Sequence, residues 1–149
     1  MDRGYKAILI GVGHIGNALI DNFDFSEWGF DLVRAFDIDK EKIGKEYSGV
    51  VVDSSENLVS FIQNNKIDVA VLCVSKEAAV EVTKLLSENG VNAIWNFTNV
   101  EVVGPESTAI VENVHFSDSL LSLSYFISEE KDSKAAHEAR LAKAVKTEP

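Results

Sequence analysis

An α/β fold with a doubly wound, mostly parallel sheet is what this sequence predicts, and three observations predict it. Short apolar runs alternate with helical patterns along the chain. A glycine-rich turn, Gly11-Val-Gly13-His-Ile-Gly16, joins the first run to the first helix. The run Asp68 to Val74, DVAVLCV, is apolar almost throughout, as a strand covered on both faces requires. At 149 residues, 46% of them hydrophobic, the chain is expected to form one domain and to bury roughly 70% of the surface its unfolded form exposes.

The first strand, Ala7 to Ile10, runs straight into the glycines. Gly11 allows the tight turn, Gly13 lets backbone come close to a diphosphate, and Gly16 lets the helix pack on the strand. The open end of that helix supplies free N–H groups and a positive dipole end, so Gly11, Val12, Gly13, His14, Ile15 and Gly16 form a candidate phosphate site without Lys or Arg. The second strand, Asp31 to Phe36, ends in Asp37, twenty-one residues after Gly16. Glycines and acidic residue in this order are the Rossmann dinucleotide fingerprint. Asp37 can accept both hydroxyls of the adenosine ribose. A 2′-phosphate at roughly 4 Å from it would cost about 4 kcal/mol at an effective dielectric near 20. Ile38 and Asp39 provide no compensating Arg, so NAD(H) is expected, with Ile38 beside it.

Asp21 to Phe30 carries Phe23, Phe25, Trp28 and Phe30, dense enough in aromatics to be a packed connection. Asp39 to Ser48 reads as a polar loop over the adenosine edge. Lys40, Lys42 and Lys45 could reach a ligand from it, although a solvated face is the favoured reading of these lysines, and Lys42 is the cofactor-binding candidate among them. A third strand lies within Gly49 to Asp53, and Ser54-Ser55-Glu56 opens a helix, Asn57 to Asn64, with a serine cap. Asp68 to Val74 is the next strand, ended by Ser75. The helix Lys76 to Glu88 stops at Asn89-Gly90. Strands Asn92 to Phe97 and Thr108 to Asn113 follow, the latter after a Gly104-Pro105 turn. Ligands of such sheets sit outside the carboxyl ends of the strands, a rule that gathers Gly11 to Gly16, Asp37, Val74, Ser75, Asn96, Phe97, Thr98, Asn99, His115 and Phe116 at one edge.

From Ser117 an apolar helical pattern (Leu120, Leu121, Leu123, Tyr125, Phe126, Ile127) needs a surface to pack on, its own sheet or another subunit. Residues 1–127 are therefore read as the nucleotide-binding domain, and 128–149 as a charged, exposed or frayed helical tail. Cys73, the one cysteine, lies in an apolar run and reads as packing. A net charge of −10 repels polyanions, so DNA, RNA and acidic membranes are poor partners. There is no leader or long apolar run, which makes the cytoplasm the expected location. Metal-ligand spacing is absent from the sequence.

Five blocks, GVGHIGNAL, AFDIDKEKIG, IDVAVLCVSKEAAVEVTKLL, GVNAIWNFTNVEV and AIVENVHFSDSLLSLSYF, resemble in order the C-terminal NAD(H)-binding domain of Rex, a family of bacterial repressors that read the NADH/NAD⁺ balance. The resemblance implies a homodimer whose helix after the sixth strand swaps to the partner. It also implies a Phe116 ring near the nicotinamide of the other subunit. An apolar pocket penalises burial of the cationic oxidised ring, which favours NADH. The family's N-terminal winged-helix DNA-binding domain has no counterpart before the first strand. Asn22 and His115 stand where the family has the Tyr and Asp of its ligand-dependent switch. These departures predict a stand-alone relative that does not bind DNA directly and acts through a partner protein.

The leading expectation is thus a non-catalytic NAD(H)-binding module for redox sensing. A dehydrogenase needs a proton donor beside the nicotinamide. Of His14, His115 and His137 only His115 is placed to serve, and Tyr125 is followed by Glu129 rather than completing a Tyr-x-x-x-Lys pair. A CoA-binding domain is the third reading, against which Asp37 argues, because CoA carries a 3′-phosphate on that ribose.

Overall fold

The computed structural model describes residues 4–98, 100 and 110–114, which fall within one compact unit, Met1–Val114. Its elements are β1 (Tyr5–Ile10), α1 (His14–Asn22), a 3-10 turn (Phe25–Trp28), β2 (Phe30–Asp37), β3 (Glu46–Tyr47), β4 (Val50–Ser54), a second 3-10 turn (Ser55–Asn57), α2 (Leu58–Asn64), β5 (Val69–Leu72), α3 (Lys76–Glu88), β6 (Ala93–Asn96) and β7 (Ile110–Asn113). The seven strands form one sheet in the order β3-β4-β2-β1-β5-β6-β7, with every pairing parallel except β3 with β4.

Alternation along the central strands sets the two layers. Ile8, Ile10, Phe36, Ala70, Leu72 and Ile94 pack with Leu58 and Ile62 of α2 and Ala79 and Leu86 of α3 in one core. Gly16 of α1 faces Leu9, which alternates to the opposite side. Helices thus flank both faces, as the doubly wound reading requires. On the α1 side an aromatic group fills the connection expected at 21–30: Phe23 meets Phe25 edge-on at 4.8 Å and Trp95 at 5.6 Å, and Trp95 meets Phe97 at 4.7 Å.

Several element ends shift by one or two residues from the sequence reading, and three differences have a local reason. The polar loop 39–48 contains β3, because Ser48 (φ +48°) and Gly49 (φ +84°) form a two-residue hairpin turn that folds Tyr47 back onto Val50. The serine cap exists but serves the 3-10 turn, Ser54 Oγ accepting from Glu56 N at 3.2 Å, so α2 begins one residue later than expected, at Leu58. β5 stops at Leu72, since Cys73 and Val74 leave the sheet beside Gly11. Asn99, the turn at 104–105, His115, Phe116, the apolar stripe 120–127 and the tail 128–149 lie outside the described residues.

Candidate functional site

Strand register lines up the carboxyl ends. Asp53, Phe36, Ile10, Leu72, Asn96 and Asn113 are successive partners across the sheet. Residues immediately past this row share one edge: Gly11 after β1, Asp37 at the end of β2, the Cys73-Val74-Ser75 run after β5, and Phe97 and Thr98 after β6. From β2 to β6 is three strand steps, roughly 14 Å at about 4.8 Å per step. Such an edge suits an elongated ligand lying across β1 and β5, where the chain winds α1 and α3 onto opposite faces.

At the middle of that edge each fingerprint glycine answers to a different constraint. Gly11 has φ +96°, and a Cβ there would lie 2.5 Å from the Cys73 carbonyl oxygen and 2.9 Å from Val74 N. Gly16 would drive a Cβ into the Gly11 carbonyl oxygen. Both are therefore required by the fold itself. Gly13 is not: its backbone is extended (φ −86°), and a Cβ would meet no atom of the described residues within 4 Å. Gly13 also caps α1 without a side chain, and the first bond of the helix is Asn17 N to Gly13 O at 2.9 Å. The N–H groups of His14, Ile15 and Gly16 have no acceptor within the helix.

The Asp37 carboxylate is held against this turn. Its Oδ2 accepts from Val12 N at 2.7 Å and its Oδ1 from Asp39 N at 2.9 Å, leaving further lone pairs on both oxygens. Ile38 beside it is 85% exposed, a large apolar side chain offered to solvent at the β2 end of the edge. Lys42 turns back from its loop to donate Nζ to the Val12 carbonyl. Nothing in the sequence signals this contact, because the two residues are thirty positions apart.

Of the other expected residues, Val74 is half-buried and Ser75 is exposed at the start of α3, where its side chain caps nothing. Asn96 is 1% exposed, and its side chain is used within the protein: Nδ2 donates to Val100 O (2.7 Å) and Asn113 Oδ1 (2.8 Å), and Oδ1 accepts from Thr98 N (2.9 Å) and Thr98 Oγ1 (2.6 Å). Asn96 therefore shapes the loop after β6, and Thr98 is its partner in that task. Phe97, also buried, stacks edge-on with Trp95.

Burial pushes the Cys73 thiol up to about 12, so it is an inert, protonated group at neutral pH. Partial burial works to raise Asp53, but hydrogen bonds from Asn57, Ser54 N and Arg34 outweigh it and hold the carboxyl below its ordinary value. The Arg34–Asp53 ion pair (3.2 Å) ties β2 to β4. An apolar cavity of about 260 Å³ lies against the sheet between Phe25, Phe30, Val71, Trp95 and Ile110, with Glu112 its one ionisable group. Its other lining side chains are apolar. Among the described residues no cluster of His, Cys, Asp and Glu could hold a metal, and no helix is long and apolar enough to cross a membrane.

A parallel sheet with a glycine turn at its switch point and a carboxylate ending the next strand defines a Rossmann-type nucleotide-binding domain. By sequence the chain belongs to the CoA binding domain family, which matches residues 2–100. It is 42% identical over 129 residues to the redox-sensing transcriptional repressor Rex of Caldicellulosiruptor saccharolyticus, covering 87% of this chain and 58% of the relative. Against the Rex repressor of Clostridium acetobutylicum it is 42% identical over 134 residues, covering 90% and 62%. The crystal structure of RSP, a Rex-family repressor, superposes with a TM-score of 0.75 at 38% identity over 90% of this chain and 64% of that one. The structure of RSP in complex with β-NADH gives 0.74 at 38% identity, over 89% and 63%. The resemblance to the Rex C-terminal domain read from the five sequence blocks therefore stands, and the chain spans about 60% of the length of these relatives.

Proposed function

We propose that this chain binds NAD(H) at the carboxyl edge of its sheet, as a non-catalytic redox-sensing module that prefers NADH. The observation that carries the reading is Gly13. It is the one fingerprint glycine that packing among the described residues does not demand, and it stands at the uncapped start of α1 with Asp37 fixed beside it. A diphosphate on the first turn of α1 and a ribose diol on Asp37 use both features. Structures of the relative RSP solved with β-NADH and with β-NAD⁺ support NAD(H) as the ligand, in either oxidation state.

Calorimetric titration with NADH, NAD⁺, NADPH and CoA tests it. NADH is expected to bind at least tenfold more tightly than NADPH, as the charge repulsion at Asp37 implies. Asp37→Ala is expected to narrow the gap, chiefly by weakening NADH. Equal affinity of the wild type for NADH and NADPH would refute the role of Asp37. CoA is the second reading, favoured by the name of the family that matches. Tight CoA binding with none of NADH would establish it instead.

The module works as a homodimer and passes its signal to a partner protein rather than to DNA. The stripe Leu120, Leu123 and Ile127 supports the dimer, with Phe116 completing the nicotinamide pocket of the other subunit. The net charge of −10 supports the absence of DNA binding by this chain. Sedimentation with and without NADH checks the first, because a ligand shared across the interface must strengthen the dimer. A chain that stays monomeric at micromolar concentration yet binds NADH with unchanged affinity contradicts it.

A further inference from the structure

Lys42 donates to the Val12 carbonyl, while the Val12 N–H is bound to Asp37 Oδ2. Both backbone groups of one residue in the glycine turn are thus gripped by side chains from the β2 end. Lys42 is itself held firmly. The Asp39 carbonyl accepts from Lys42 N (3.0 Å) and Ile43 N (3.2 Å), and Asp39 Oδ1 accepts from Glu41 N (3.0 Å). The turn is then tied to β4 by Gly44 N to Val52 O and Val52 N to Lys45 O, each 2.8 Å. A peptide is planar and trans, so fixing the Val12 carbonyl on Lys42 points the Gly13 N–H of the same peptide the opposite way.

We infer that Lys42 is a positioning residue: by holding the Val12–Gly13 peptide it orients the Gly13 N–H for a diphosphate, and it does so before the ligand arrives. This rests on the nucleotide reading given above. It differs from a lysine that neutralises the phosphates directly, because the work is done through the backbone. Preorganisation of this kind lowers the ordering cost of binding.

The test compares wild type with Lys42→Met and Lys42→Gln, the latter keeping a neutral donor on a side chain one atom shorter. Affinities are measured for NADH, ADP-ribose and adenosine, and amide hydrogen exchange is followed at Val12 and Gly13 in the ligand-free protein. Lys42→Met is expected to weaken NADH and ADP-ribose about tenfold, leave adenosine within about twofold, speed exchange at Val12 and Gly13, and leave the thermal midpoint unchanged. Lys42→Gln should recover part of the affinity and of the protection. Unchanged exchange with a tenfold loss would mean that the ammonium acts on the phosphates directly, and overturns the inference. An equal loss on adenosine overturns it too, as does a lowered midpoint with uniform losses. Failure of the wild type to bind NADH at all overturns the nucleotide reading, and this inference with it.

Discussion

Replacing Gly13 by alanine separates a glycine kept for a ligand from one kept for the fold. In the free protein the added methyl meets nothing within 4 Å among the described residues, and the backbone conformation (φ −86°, extended) is open to alanine. Two small terms then oppose each other. Alanine is a poorer helix N-cap than glycine by on the order of 1 kcal/mol, and the stiffer unfolded chain returns about 0.4–1 kcal/mol. The net change should move the melting midpoint by less than about 4 °C in a chain of this size. Gly11→Ala is the contrast. Its left-handed backbone costs about 1–2 kcal/mol. Its Cβ would press on the Cys73 carbonyl and Val74 N, backbone atoms that cannot swing aside, for roughly 1–3 kcal/mol more. Together these should lower the midpoint by on the order of 5–15 °C. Scanning calorimetry measures both variants, and NADH titration then measures Gly13→Ala. The expected result is a folded protein whose NADH affinity is at least tenfold weaker, about 1.4 kcal/mol, because the methyl occupies the diphosphate approach. Wild-type affinity in folded Gly13→Ala would refute the reasoning.

Two further outcomes follow from the buried groups. Asn96→Ala removes four internal hydrogen bonds and strands Thr98 N, while the Val100 carbonyl keeps only its bond from Thr98 Oγ1, so chemical denaturation should show a loss of roughly 2–4 kcal/mol. A loss below about 0.5 kcal/mol would show that the loop after β6 is held by other contacts. Cys73 should resist alkylation at neutral pH until the chain unfolds. Its folded pKa, about 12, lies above the unfolded value, so its share of stability is full below about pH 9 and declines as pH rises from there toward 12. Rapid labelling of the folded protein at pH 7 would contradict this.

Much of the fold was legible because it follows from patterns local in sequence. The strand–glycine–helix order, the apolar run before Ser75 and the Asn89-Gly90 stop each report backbone geometry within a few residues. What escaped depends on distant partners. β3 is two residues long with charged neighbours, and its one local sign is the Ser48-Gly49 turn. Asn96 reads as a ligand contact from its place after a strand, yet Thr98, Val100 and Asn113 consume its side chain, and only register brings Asn113 beside it. The Lys42 contact with Val12 depends on a turn closing over a separate strand. Within the site, the fingerprint glycines look alike in sequence. Their different duties become visible only when a Cβ is placed at each.

Backbone amide shifts followed by NMR during titration with NADH test the central claim most directly. The account predicts that the largest changes fall on Gly13, His14, Ile15 and Gly16, with a second group at Asp37, Ile38 and Asp39, and that they saturate together with a single affinity. Changes that instead concentrate on Phe30, Val71, Trp95 and Ile110 around the apolar cavity, leaving the glycine turn unmoved, would contradict it.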